Sequence, residues 1–169
     1  LLHSAAPEKD TNRVYIWGKY TLPVQRDDEG KVASDARIPA RLTGLPDIPV
    51  ARIACGSHHT AILLMDGSVW AVGLSTDTQK PLHDPVCLIE AGVVELPARE
   101  FSAHMDRTTV VGASGRQILQ VHLYEDAENR NVAVFTPSWV DPLLDQDPDI
   151  RIREVHRSWL HTVVVAEKK

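Results

Sequence analysis

Cysteine is scarce in these 169 residues: only Cys55 and Cys87 occur, far apart and in no C-x-x-C pair. That count and spacing exclude a disulfide framework and a cysteine zinc site, and a reducing intracellular compartment (cytoplasm, nucleus or mitochondrion) is the default expectation. Long apolar runs are missing too. Stretches such as Ala61 to Met65 fall far short of the roughly 18 residues of a membrane helix. With no N-x-[ST] sequon either, a soluble chain without membrane insertion is predicted. Basic charge is not in excess: 18 Lys and Arg stand against 23 Asp and Glu, a net charge of −5. Nucleic-acid binders cluster basic side chains against phosphates, so no nucleic-acid partner is expected, and Arg151, Arg153 and Arg157 read as the solvated face of a strand.

Enzyme and cofactor signatures are absent wherever they can be checked. There is no G-x-G-x-x-G, the Gly-Lys pairs at 18–19 and 30–31 lack the rest of a phosphate loop, and Gly112-Ala-Ser-Gly115 is not a nucleophile elbow. Asp145, Asp147 and Asp149 alternate as in a calcium loop but enclose Pro148 and lack the required glycine. His58 and His59 are adjacent; in an extended segment they face opposite ways and cannot share one ion. The other histidines have no metal-ligand spacing. No catalytic residue, cofactor or metal is therefore assigned.

What the chain does contain is a repeat. Its clearest copy runs Val50 to Gly56, Ser57-His58-His59-Thr60, Ala61 to Met65, Asp66-Gly67, then Ser68-Val-Trp-Ala-Val-Gly73. Asp-Gly between two apolar runs is a strong hairpin signal. A degraded copy spans Arg99 to Leu123, with Ser114-Gly115 as its turn, and a third runs from Ile150 to Ala166. Thr60, Thr108 and Thr162 mark equivalent positions, 48 and 54 residues apart, a period in the range of propeller blades. Proline-led segments at Pro39, Pro85 and Pro137 precede the copies and predict one more strand each, since proline suits a strand's first position. Arg13-Val-Tyr-Ile-Trp-Gly18 matches Ser68 to Gly73 and reads as an isolated last strand.

Tryptophan-glycine after an apolar strand, a proline-led strand, and G-x-x-H-T followed by Asp-Gly and a strand ending in glycine resemble the repeat of the regulator of chromosome condensation family. The resemblance covers about residues 13 to 166. It is strong over 50–73 and weak over 98–123, where Ala103 replaces a glycine and Arg107 the histidine. It implies an all-β fold: about three four-stranded blades of a larger, about seven-bladed, or partner-completed β-propeller. The boundaries expected are a flexible tail over 1–12, the last strand of a preceding blade over 13–18, a blade over 39–73, a degenerate blade over 85–123 and a final incomplete blade over 137–166. Residues 19–38 and Leu143 to Asp149 are expected as exposed loops.

The positions carrying the repeat are Trp17, Gly18, Gly56, His59, Asp66, Gly67, Trp70, Gly73, Gly115 and His161. Trp17 and Trp70 are expected to pack between blades, with Trp139 or Trp159 at a contact surface. The resemblance implies that His59 and His161 sit inside a blade and hydrogen-bond neighbouring backbone. Three blades are too few to close such a ring. The missing ones are expected from a longer chain of which this is the C-terminal portion, or else from another chain; a three-bladed ring closed by Val14 to Gly18 is strained. The resulting expectation is a non-enzymatic scaffold for protein partners. The alternative, also implied by the resemblance, is guanine-nucleotide exchange on a small GTPase, as in the founding member.

Overall fold

Runs of four to eight apolar and β-branched residues, broken by Asp-Gly, Ser-Gly and proline, fold as short strands joined by tight turns. The computed structural model describes residues 13–19, 35–74, 82, 84–104, 107–125, 131–136, 141–157 and 162–169. Two complete four-stranded antiparallel sheets occupy its middle. The first contains β3 (Val50–Cys55), β4 (His59–Leu64), β5 (Val69–Gly73) and β6 (Val86–Ile89), and the second β7 (Glu100–His104), β8 (Arg107–Val111), β9 (Ile118–Glu125) and β10 (Asn131–Thr136). Each strand pairs with its neighbours in sequence, the meander of a propeller blade. A pair of strands flanks them at each end: β1 (Tyr15–Lys19) with β2 (Asp35–Arg41), and β11 (Ile150–Arg157) with β12 (Thr162–Lys168).

Three apolar seams join these four sheets face to face. The largest lies between the complete sheets, where Ala61, Leu63, Val69 and Ala71 meet Phe101, Val110, Val121 and Leu123. The alternate residues of the first sheet, Ile62, Leu64 and Val72, pack with Leu42 against Ile16 of β1 and Val14 just before it. Val111 and Ile118 of the second sheet pack with Ile152 and Val155 of β11. Successive side chains of a strand point to opposite faces, so a sheet sandwiched between two others is apolar on both. That is why Ala61, Ile62, Leu63 and Leu64 are all buried in one unbroken run, each large aliphatic side chain contributing about 1.5–3 kcal/mol.

Four expectations need correction. The proline-led segments at Pro39 and Pro85 do not open the blade that follows. Val86–Ile89 hydrogen-bonds to β5 as the fourth strand of its own sheet, because an antiparallel neighbour is reached by the direct reversal from β5, whereas residues 90–99 are spent crossing to the next sheet. The complete sheets therefore run over 50–89 and 100–136 rather than 39–73 and 85–123. By the same logic β1 is not a last strand, since β2 pairs outside it and contains Asp35–Pro39, part of the stretch expected as a loop. Leu143 to Asp149 is not wholly loop either: α1 spans Asp141–Gln146. Proline at its second position suits a helix's first turn, Leu144 is buried, and six residues are too short to show a helical period. Trp17, the fourth, is taken up below. The expected tail over 1–12, the segment at Pro137 and Trp139, Trp159 and His161 lie outside the described residues.

Candidate interaction surface

The hairpin turn of each complete sheet docks onto the segment leading to the next sheet. In the first, Asp66 Oδ1 accepts hydrogen bonds from the Ser68 amide (2.9 Å) and hydroxyl (2.7 Å), and the Trp70 indole donates to Ser68 Oγ at 3.2 Å. Gly67 sits at the turn tip, and the Gly92 amide donates to the Asp66 carbonyl at 2.9 Å. In the second, the Ile152 amide donates to the Gly115 carbonyl at 2.9 Å. Gly115 has φ +72, and a Cβ there would stand 2.8 Å from the Ile152 carbonyl oxygen, so only glycine fits without displacement.

The G-x-x-H-T segment does two jobs. Its bend brings the Gly56 amide to the His59 carbonyl at 2.8 Å and the Leu74 amide to the His58 carbonyl at 2.7 Å. Gly73 meets this bend so closely, at φ +122, that a Cβ would lie 2.6 Å from the His58 oxygen. His59 is buried, and its Nε2 lies 2.9 Å from Thr108 Oγ1 on the neighbouring sheet. The resemblance implied a histidine holding backbone; this contact is with a side chain across the seam. His58 projects elsewhere, and its Nδ1 is buried with no hydrogen-bond partner among the described residues.

Beside that bend opens a groove of about 440 Å³ between β1 and β3–β5. Its walls include Tyr15 and Trp17 of β1, Ile53 and Cys55 of β3, and His58 and Thr60. Tyr15, Trp17 and Ile53 are 50%, 60% and 50% exposed. Trp17 is thus not packed between blades as expected: among the described residues no sheet covers the face that it shares with Tyr15. In the first sheet the matching positions are covered: Trp70, which corresponds to Tyr15, is half-buried and Val72, which corresponds to Trp17, is buried, both against the seam facing β1. Of the two thiols, Cys55 is exposed; burial, reinforced by Glu90, pushes the Cys87 thiol above its ordinary 9.0.

Sequence reasoning missed the ties around the second turn. Glu95 Oε2 accepts from the Ser114 hydroxyl (2.5 Å) and amide (3.1 Å), and Gln117 bridges the Glu95 amide and the Val93 carbonyl at 2.8 and 2.7 Å. These bonds hold the Glu95 carboxyl below its ordinary range. Arg116 donates to the carbonyls of Leu144, Pro148 and Ile150 at 2.8, 3.0 and 3.3 Å, anchoring α1 and β11. Such pairings link residues about 20 to 35 apart with no motif to announce them; alignment of Ser114-Gly115 with Asp66-Gly67 is the one signal that marks the place.

Among the described residues, no group of three or more His, Cys, Asp or Glu is placed to hold a metal ion, and no helix is long and apolar enough to cross a membrane.

Comparison with known proteins places these features. A repeat profile described as "Regulator of chromosome condensation (RCC1) repeat" matches residues 11–63, and a second of the same description matches 50–79. Among solved structures, the chain is similar to human WBSCR16 at 17% identity and a TM-score of 0.62, covering 93% of this chain and 41% of that one. Yeast RCC1 (Prp20), solved with Kap60 bound, is similar at 18% identity and a TM-score of 0.61, with 95% and 39% covered. Prp20p from Saccharomyces cerevisiae, described with its binding properties to Gsp1p and histones, gives 18% and 0.51, with 87% and 37% covered. The chain spans about two fifths of the length of these structures.

Proposed function

We propose that the chain, whose residues 11–79 match the regulator of chromosome condensation repeat, is a non-enzymatic β-propeller scaffold whose open groove beside β1 receives a protein partner. The observation that carries this reading is the cluster of Tyr15, Trp17 and Ile53, each at least half exposed, around one concave surface. Aromatic side chains that offer a large apolar face and a polar tip are the residues that anchor protein interfaces, and adjoining exposed apolar side chains are a mark of contact surfaces. His58 and His59 of the groove wall have no carboxylate beside them among its described lining residues, so no oriented acid–base pair is assigned there.

Placing a photocrosslinking amino acid at position 17, in the protein's native source, tests this reading. A discrete adduct heavier than the chain, abolished by Ile53→Asp, is expected; the absence of any polypeptide adduct would overturn it. The competing function is nucleotide exchange on a small GTPase, supported by fold likeness to a protein described with Gsp1p, and fold likeness does not transfer activity. Accelerated nucleotide release from any member of a GTPase panel would favour exchange.

A further inference from the structure

The first strand of the first complete sheet is irregular where that of the second is not. β7 pairs with β8 in unbroken register, from Glu100 opposite Val111 to His104 opposite Arg107. β3 sets Val50 opposite Leu64 and Arg52 opposite Leu63, which leaves Ala51 as the extra residue of a β-bulge. A bulge bends its strand and re-aims the side chains beside it. At this one lies a second groove, of about 520 Å³, between the start of β3, the end of β4 and the segment Leu96–Ala98 that enters β7. Leu63 and Ala98 are buried members of its lining, whereas Met65 is 58% exposed. The groove shares no described lining residue with the one beside β1, and its described walls all belong to the two complete sheets and the segment between them.

Arg52 is the one charged residue in this described lining. It stands opposite Leu63, on the face of β3 turned toward the second sheet, and its Nη1 donates to the Arg99 carbonyl at 3.2 Å. That bond holds the guanidinium in place and uses one of its five N–H groups on a neutral acceptor. Among the described residues no carboxylate pairs with it. The acids of the neighbouring turns are engaged elsewhere: Asp66 accepts from Ser68, and Glu95 from Ser114. A guanidinium held beside an apolar groove, with donors unspent, suits a carboxylate carried next to an apolar side chain. A single cation on a chain of net charge −5 suits one carboxylate, not the repeated phosphates of a nucleic acid.

We propose that this groove between the two complete sheets docks an extended peptide segment of a partner protein, in which a large apolar side chain is followed by Asp or Glu. The apolar side chain packs against Leu63, Met65 and Pro97 while the carboxylate accepts from Arg52. A volume of about 520 Å³ lies within the range of about 300–1,000 Å³ that ligand grooves use. An apolar anchor in a pocket joined to one oriented charge pair is the pattern of a strong contact site. The surface also extends past a single side chain. Val93, 41% exposed, follows Gly92, whose amide is bonded to the Asp66 carbonyl beside Met65. This site is separate from the groove beside β1, so the two readings stand or fall independently.

Panning a phage library of random linear peptides on the 169-residue chain, with counter-selection on a variant carrying both Arg52→Glu and Met65→Asp, tests this. Both positions are exposed, so neither substitution opens the core. The enriched peptides should share a Leu, Ile, Met or Phe next to an Asp or Glu. By fluorescence polarisation, the most enriched peptide should bind about tenfold or more weakly to Arg52→Glu and to Met65→Asp. The same peptide with its acid replaced by Lys should bind Arg52→Glu better than it binds the unaltered chain. Ile53→Asp, in the groove beside β1, should leave the affinity unchanged. Enrichment of no acidic–apolar sequence, an affinity indifferent to Arg52→Glu, or an affinity lost with Ile53→Asp would overturn the proposal, and none of these results bears on adducts formed at position 17.

Discussion

The turn between β4 and β5 is held from within, by Asp66 accepting from the Ser68 amide and hydroxyl. The corresponding turn between β8 and β9 carries Ser114 instead, and its carboxylate arrives from Glu95, on the segment that enters the sheet. The Ser114 hydroxyl also accepts from the Arg116 amide at 3.0 Å. So the same backbone turn is satisfied locally in one sheet and at long range in the other. The second sheet departs from the repeat at Ala103, Arg107 and Ser114, yet it has the same four strands in the same order. The blade therefore tolerates the loss of its motif residues as long as its strands stay apolar on the two packed faces and its turn donors find an acceptor.

The sharpest way to break the comparison is through the seam that the two sheets share. Leu63→Ala and Phe101→Ala remove buried side chains from opposite walls of it and should cost about 2–5 and 3–5 kcal/mol in urea unfolding. Since both act on one seam, the double variant should fall short of the sum. The control Leu143→Ala, at an exposed position, should change stability by less than about 0.5 kcal/mol.

Next in size are the glycines beneath each turn or bend. Gly73→Ala combines φ +122 with a 2.6 Å approach to backbone oxygen, and Gly115→Ala combines φ +72 with 2.8 Å. Each should cost about 1–3 kcal/mol, Gly73→Ala the more, as read by thermal unfolding.

Smaller still are the turn carboxylates. Asp66→Ala should cost about 1 kcal/mol, and Glu95→Ala less, because its carboxylate is exposed to water that can replace the lost partner. The two should also differ with acid. Glu95 has its folded pKa lowered below 4.5 by the Ser114 bonds, so its contribution is full above about pH 4.5 and is lost as pH falls through the lower folded value. Glu95→Gln should flatten this acid limb of a stability profile; an unchanged limb would mean that other carboxylates dominate it.

The smallest effect is expected at the Arg99–Glu167 pair, 2.9 Å long and partly exposed at 28% and 43%, which ties the approach to β7 to β12. A double-mutant cycle should return no more than about 1 kcal/mol, shrinking as salt is raised.

Much of this architecture was legible in the sequence. Asp66-Gly67, the Thr60, Thr108 and Thr162 spacing and the run of apolar residues through Leu64 identify strands, turns and repeat without coordinates, because those features depend on backbone conformation over a few residues. The candidate surface was less legible. Trp17 and Val72 occupy equivalent sequence positions, yet one is 60% exposed and the other 2%, since burial depends on which sheet stands opposite.

The sequence by itself determined the all-β class, the repeat and the locations of the tight turns, all consequences of local alternation and of residues suited to positive φ. Only the tertiary structure decided which strand belongs to which sheet, that Glu95 and Arg116 hold a turn and a helix end, and which apolar faces remain open. Strand partners, distant hydrogen bonds and exposure are properties of how sheets stack, and residues brought together across 20 to 70 positions leave no spacing that a linear reading can follow.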